Sequence, residues 1–306
     1  MIDAVNMYII VRSVLSSKII YMSKRTIYIT SAAELSVKHS QICIKTEHQE
    51  DCLRSVEDLG ALIVDHHSVH LTVPLINLLA QNNVRVVFCN EQHIPTTMLM
   101  DLDSNVLQAK RFRAQLAAGR PLQKQIWKQI VERKIQNQSL LLKKCGKGED
   151  LLEPYHAHVK SGDTTNREGI AAKVYWRYLF GKQFVRDRIG PVPNNLLNYG
   201  YALLRSAVAR GIMDAGLLPS VGIFHRNYYN SFPLADDLME PYRPFVDELV
   251  LNMYQEGERK ITQAVKRRLV EEHYERLSQE EISATAHSLV HVFERECSVL
   301  YYPKFR

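Results

Sequence analysis

No apolar stretch in this chain approaches the roughly 20 residues that cross a bilayer, so nothing in it reads as a membrane anchor. A secretory leader is not expected either. The short apolar run at residues 7–11 is broken by Arg12, Asp3 sits where a basic region would lie, and no small-residue cleavage site follows. Cysteines are few and unpaired in sequence: Cys43, Cys52, Cys89, Cys145 and Cys297 are odd in number, widely scattered and never spaced as C-x-x-C. That argues against a disulfide framework and against a zinc knuckle, and a reducing cytoplasm is the expected location. No G-x-x-x-x-G-K-[ST] loop occurs, so no P-loop nucleotide chemistry is expected. Internal repeats and low-complexity tracts are absent as well.

With 306 residues, 46% of them hydrophobic and 24% charged, the chain can bury a large core, and its length suggests two domains. Residues 1–21 precede the ordered pattern and are read as a non-native or disordered extension, with Met22 as the functional start. Residues 22–89 carry a period of two: RTIYIT, QICIK, ALIVD, SVHLTV and VRVVFC read as strands, and PLINLLAQNN as a short helix with Pro74 in its first turn. This is expected to be a small β-rich domain. Residues 90–104 are polar and read as a linker. From residue 105 to 306 the period is helical, so the expected class is α+β, a β-rich N-terminal domain followed by a larger all-α one. Ser278 is the expected N-cap between the last two helices, with Glu281 three residues on.

A net charge of +6 is modest, but its distribution is not even. Between Lys110 and Lys147 stand eleven Lys and Arg and one acid, Glu132. Such an excess either attracts a polyanion by counterion release or is a solvated helix face. The histidines of HHSVH (His66, His67, His70) and the pair His156 and His158 invite a metal hypothesis. Without a cysteine partner they are read as structural.

The most informative stretch is residues 221–244, VGIFHRNYYNSFPLADDLMEPYRP. His225 ends an apolar run, and Asp236, Asp237 and Glu240 follow. On a helix, Asp237 and Glu240 share one face. Carboxylates with one imidazole suit magnesium or manganese better than zinc. Equally, Asp236 or Asp237 could cap a helix and His225 could be a core histidine. Pro241 either kinks this helix or begins another. Upstream, NREGIAAKVYWRYLF reads as a helix whose packing face is Ile170, Val174, Tyr178 and Leu179, with Glu168 in its first turn on another face. In the next helix Tyr199 and Tyr201 are read as packing or hydrogen-bonding residues, Arg205 and Arg210 as facing elsewhere, and Gly216 as its end.

Taken together, NREGIAAKVYW, NYGYALLRSAVARGIMDAGLLPSVGIFH and PLADDLMEPYRP, with ALIVDHHSVHLTVPLINLLAQNNVRVVFCNEQHIP, QAKRFRAQL and IWKQIVERKIQNQ upstream, resemble the CRISPR-associated integrase family Cas-one, in the branch found with single-protein RNA-guided effectors. The resemblance covers roughly residues 22–254. It implies a catalytic metal, magnesium or manganese, held by Glu168, His225 and Glu240, with Asp237 as an auxiliary acid. It implies an endonuclease and integrase of CRISPR adaptation that joins the 3′-hydroxyl ends of short DNA fragments into the repeat array by transesterification. Its implied partners are double-stranded DNA (fragment and repeat), a second copy of the chain, and a dimer of the small protein Cas-two docked through the N-terminal domain. Arg167, Lys173, Arg177, Arg205, Arg226 and Arg243 are candidates to hold DNA phosphates. A ligating His225 must be neutral, so activity is expected to fall as pH drops through its titration range. The rival readings are a hydrolytic, structure-specific DNA nuclease with the same site and a noncatalytic DNA-binding scaffold.

Overall fold

A computed structural model of the chain describes residues 7–12, 23–47, 50–91, 93, 95–99, 106–148, 150–276, 279–295, 297–303 and 305, with backbone alone for 7–12, 23–25, 272–276 and 279–280. The expected N-cap Ser278 and the proposed start Met22 lie outside the described residues. The chain divides into two compact units, Met1–Leu102 and Asp103–Arg306.

The first unit contains β1 (Met7–Arg12), β2 (Ser23–Ile29), β3 (Ala33–Lys38), β4 (Gln41–Lys45), β5 (Cys52–Ser55), β6 (Leu59–Val64), β7 (Val69–Leu71), α1 (Val73–Gln81), β8 (Arg85–Cys89) and β9 (Pro95–Met98). They form a five-stranded sheet in the order β1-β2-β6-β8-β9 and a four-stranded sheet in the order β5-β4-β3-β7. In the larger sheet β2, β6 and β8 run parallel, and β1 and β9 close its edges antiparallel. Alternate residues build one core: Ile27 and Ile29 of β2 and Leu62 and Val64 of β6 meet Leu35 of β3 and Ile42 and Ile44 of β4. Helix α1 adds Leu75 and Leu79, one turn apart and fully buried.

Two strands fall where none was expected. Met7–Arg12, inside the segment read as an extension, pairs along β2. Pro95–Met98, inside the segment read as a linker, pairs along β8. Both lie at sheet edges, where a neighbouring strand offers unpaired backbone groups, and Pro95 opens its strand, the position at which a missing N–H does least harm. Strands β3 and β5 also escaped the sequence reading. The hairpin from β3 to β4 turns through His39 and Ser40, both at positive φ (52° and 57°), without the Asn-Gly or Asp-Gly that advertises such a turn.

The second unit is helical: α2 (Gln108–Leu116), α3 (Arg120–Lys144), α4 (Glu153–His156), α5 (Arg167–Leu179), α6 (Asn194–Asp214), α7 (Pro233–Leu238), α8 (Arg243–Gln255), α9 (Gln263–Arg276) and α10 (Gln279–Phe293). Helix α3 buries Ile126, Ile130, Trp127, Val131 and Ile135 along its inner face. Helix α8 is buried nearly all round, as befits a central helix. Close approach of α6 to α8 depends on Gly200: a Cβ there would lie 2.5 Å from Val246 Cγ1. Gly216, at φ +68°, stops α6 as expected. Among the described residues no helix is long and apolar enough to cross a membrane.

Helix α5 corrects the expected packing face. Its buried row is Ala171, Tyr175 and Leu179, whereas Ile170 and Tyr178 are exposed. Glu168, three and seven residues before Ala171 and Tyr175, therefore shares the inward face instead of lying apart from it.

Candidate metal centre

Each acidic side chain at the centre of the second unit is held from behind. Asp163 accepts the backbone N–H groups of Arg167 (2.8 Å) and Glu168 (3.0 Å). Asn166, in the left-handed conformation, accepts that of Gly169 at 3.2 Å. These caps fix the first turn of α5, where the macrodipole favours the Glu168 carboxylate. Pro241 begins no long helix and kinks none: Glu240–Tyr242 is a short 3-10 turn between α7 and α8. The Pro241 carbonyl accepts Asn137 Nδ2 of α3 at 2.7 Å, which pins the turn to that helix.

Glu168 and Glu240 converge on one cation, the Lys134 ammonium of α3. Lys134 Nζ lies 2.5 Å from Glu168 Oε1 and 2.5 Å from Glu240 Oε2. The second oxygen of Glu240 accepts Arg243 Nε at 2.9 Å. Burial opposes the charge on Glu240, but Arg243 and Lys134 outweigh it and hold the carboxyl well below its ordinary range. Burial likewise disfavours the Lys134 ammonium, and Glu240 and Glu168 reverse that, so its pKa is raised. Arg243 stands 4.4 Å from the Tyr201 ring. The Tyr201 and Tyr175 hydroxyls both donate to the buried Asp247 carboxylate, the latter at 2.6 Å. This chain of contacts ties α5, α6 and α8 together behind Glu240.

His225 belongs to the loop between α6 and α7, and Asp237 shapes that loop. Fully buried, Asp237 accepts the backbone N–H groups of Ile223 (2.6 Å), Phe224 (3.0 Å) and His225 (3.1 Å), and its Oδ1 lies 2.7 Å from His225 Nδ1. A carboxylate can only accept, so in the neutral ring Nδ1 carries the proton and Nε2 keeps its lone pair. Gly222 permits the fold of the loop: a Cβ there would stand 2.3 Å from the His225 carbonyl oxygen and 2.9 Å from Pro233 Cβ. Trp127 of α3 stacks on Phe224 at 4.2 Å and meets His225 edge-on at 5.9 Å. Glu240 is near enough to His225 to favour its charged form, behind the larger effect of the Asp237 hydrogen bond.

The sequence model described as "CRISPR associated protein Cas1" matches residues 27–286. The chain belongs to the Cas1 family. The CRISPR-associated endonuclease Cas1 of Neisseria meningitidis serogroup C is 36% identical over 261 residues, 83% of this chain and 84% of that protein. The fold is shared with a casposase bound to integration product (TM-score 0.74, 22% identity, 90% of each chain). It is shared too with a chain of a Cas6-RT-Cas1–Cas2 complex (TM-score 0.71, 20% identity, 93% of this chain and 36% of that one).

As the side chains stand in this Cas1 chain, no three His, Cys, Asp or Glu among the described residues lie close enough together to hold an ion. Glu168 and Glu240 both reach Lys134, which fills the point of convergence, and His225 feels the charge of Glu240. The donor chemistry still fits a hard divalent cation: two carboxylate oxygens already face a single positive charge, and the His225 imidazole is near enough to feel the charge of Glu240. The hydrogen bonds that Asp237 accepts all come from the His225 loop.

Two of the six expected phosphate contacts are paired with carboxylates inside the fold. Arg205 holds Asp236 through two nitrogens, at 2.6 and 3.0 Å, and Asn230 at 2.6 Å. Arg243 holds Glu240. In both, a fork of donors found a carboxylate inside the fold. Arg210 is buried. Lys173 and Arg177 are exposed on α5, and Arg167 has a buried Nε without a hydrogen-bond partner. Arg226 donates to Gln123 (2.6 Å) and lines a cleft of about 800 Å³ together with His225, Arg120 and Tyr228; neither Glu168 nor Glu240 lines it. The basic stretch of α2 and α3 is no continuous positive face either, since Lys110 pairs with Glu294, Lys144 with Glu248 and Lys134 with the two glutamates. On α9 the adjacent Lys266, Arg267 and Arg268 are similarly engaged: Lys266 is buried, and Arg267 and Arg268 pair with Glu271 and Glu256.

Lys134 is the residue that sequence reasoning passed over. Its signal was present: a lysine in the row Ile126, Ile130, Lys134, Leu141, where every other member is apolar. A charge on the buried stripe of a helix needs a buried partner.

Proposed function

We propose that this Cas1 chain is a magnesium- or manganese-dependent DNA integrase of CRISPR adaptation, acting on DNA fragment ends and the repeat. The observation that carries this reading is the convergence of Glu168 Oε1 and Glu240 Oε2 on one cation position, each 2.5 Å from Lys134 Nζ; His225, whose Nδ1 is held by Asp237, keeps Nε2 for an ion when its ring is neutral. Glu168, Glu240 and His225 would hold the ion. Bound there, the ion would polarise a phosphodiester and offset charge as an in-line displacement proceeds.

This chain's own side chains do the remaining work. Arg243 keeps Glu240 Oε1 engaged and leaves Oε2 facing the site, so Oε2 is the oxygen Glu240 would offer to an ion. Asp237 fixes the tautomer and direction of His225. Arg167 offers a donor beside Glu168, and Lys173, Arg177 and Arg226 are the remaining candidates for DNA phosphate. The attacking oxygen is the 3′-hydroxyl of the fragment, whose proton leaves to solvent. As its bond to the repeat's phosphorus forms, the bond to the repeat strand's own 3′-oxygen breaks, and that oxygen departs as a free 3′-hydroxyl, so one phosphodiester is exchanged for another. A second copy of the chain and a dimer of the small Cas2 protein complete the assembly, a reading supported by the shared fold with a chain of a Cas1–Cas2 complex.

The decisive experiment is strand transfer with the purified chain, its Cas2 partner and a supercoiled plasmid bearing leader and repeat, using fragments that end in a 3′-hydroxyl or a 3′-phosphate. Covalent joining that needs both the hydroxyl and a divalent ion is the expected result. Nicking indifferent to the fragment end would replace this reading with a hydrolytic nuclease. DNA binding without any turnover, unchanged by Glu168→Ala, would replace it with a scaffold.

A further inference from the structure

We propose that Lys134 is a displaceable internal counter-ion: its ammonium holds Glu168 and Glu240 in the ion-free protein, and a divalent cation enters by exchanging with it. The inference rests on the metal reading above and adds a step to it.

Geometry supports the exchange. Two oxygens each 2.5 Å from Nζ lie at most twice that distance apart. Magnesium–oxygen bonds of about 2.1 Å therefore ask each carboxylate to move by less than about 0.5 Å. The ammonium and the ion want the same two oxygens, so both cannot occupy that point.

The two cations at the site are anchored differently. Arg243 is fixed by Glu240 Oε1 and by the Tyr201 ring, contacts that an ion on Oε2 does not disturb. Lys134 is held only by the pair of oxygens among the partners shown for it, at the end of a flexible four-carbon stem. One turn further along α3, Gln138 is 2% exposed and its Oε1 is buried with no hydrogen-bond partner. Residues four apart are neighbours on a helix face, so this unsatisfied oxygen is an acceptor for the released ammonium. The lysine thus pairs the part-buried Glu168, shares the buried Glu240 with Arg243, and keeps both carboxylates near their ligating positions in the ion-free protein.

The test uses the full chain with Mn²⁺ alone as the probe. Lys134→Met removes the competing charge while keeping the length of the stem. Calorimetric or paramagnetic titration at pH 8 is expected to show Mn²⁺ binding Lys134→Met about 10- to 100-fold more tightly than the unsubstituted chain. The ion should also raise the melting temperature of the variant by more. Equal or weaker affinity in the variant would overturn the exchange while leaving the metal centre intact; no binding to either chain would remove the metal reading and the inference with it. A second measurement needs no substitution. In the ¹⁵N-lysine-labelled protein, the slowly exchanging Lys134 ammonium signal is expected to shift on addition of Mg²⁺, and a signal that stays put while Mg²⁺ binds would refute the displacement.

Discussion

His225 Nδ1 lies 2.7 Å from Asp237 Oδ1, and the same oxygen accepts the His225 backbone N–H at 3.1 Å. One buried carboxylate therefore sets both the course of the loop and the direction of the ring. Asp237→Asn would present an amide N–H₂ to donors that need acceptors. The expected cost is roughly 1–3 kcal/mol of stability for the buried donors left unpaired. A loss of about 10- to 100-fold in Mn²⁺ affinity or DNA joining should accompany it. Urea unfolding and ion titration on the same preparation check both, and a variant that binds Mn²⁺ as well as the unsubstituted chain would show that Asp237 does not orient His225.

Proton and ion compete for His225. The hydrogen bond to Asp237 raises its pKa above the usual histidine value, against the lowering effect of burial. With the folded value raised, the imidazolium persists to higher pH than in a free histidine. Mn²⁺ affinity should therefore begin to fall at a pH above that of an ordinary histidine and approach about tenfold per pH unit once the ring is protonated. Dissociation constants measured from pH 8.5 to 6 test this, and His225→Asn should remove this part of the pH dependence.

Asp247 gives a separate pH signature, in stability. Burial pushes its carboxyl up from 3.8 to about 6, more than the Tyr175 and Tyr201 hydrogen bonds and Arg243 pull it down. A raised folded-state pKa means the protonated form is favoured by folding. The contribution is fully present below the unfolded pKa and is lost as pH rises through about 6. Relative to Asp247→Asn, the unsubstituted chain should therefore gain stability as pH falls from 7.5 toward 4, by up to about 3 kcal/mol. Thermal unfolding of the two chains across that range is the measurement, and a difference that does not vary with pH would contradict the assignment.

The arginines divide by what already holds them. Arg205→Ala breaks the two-nitrogen contact with Asp236 and should lower the melting temperature, by roughly 1–3 kcal/mol of stability. Its effect on duplex binding should be small. Arg226→Ala, at the wall of the cleft, should leave the melting temperature nearly unchanged, weaken DNA binding and reduce its salt dependence by about one unit of slope. Melting curves and binding isotherms at several salt concentrations separate the two.

Much of this architecture is legible from local pattern. Period-two runs such as QICIK and ALIVD became β4 and β6, QAKRFRAQL became α2 without a change of boundary, and Gly216 ended α6. Such elements declare themselves because side chains must alternate across a strand and repeat near 3.6 along a helix. Strands β1 and β9 did not, since an edge strand exists only by virtue of the neighbour it pairs with. The inner face of α5 was misread for a related reason. Apolar residues surround that helix, and Tyr175 turns inward because Asp247, 72 residues later, awaits its hydroxyl.

By itself the sequence determined the residue types available for chemistry and their helical or extended settings: Glu168 at a helix start, His225 ahead of an acidic turn, Glu240 beside a proline. Which charges face one another was decided only by tertiary structure. Lys134 meets Glu168 and Glu240 across separations of 34 and 106 residues, Arg205 turns to Asp236, and Asp237 holds the His225 loop. Local periodicity carries no information about such pairings, because a buried charge takes its partner from whatever helix packs against it.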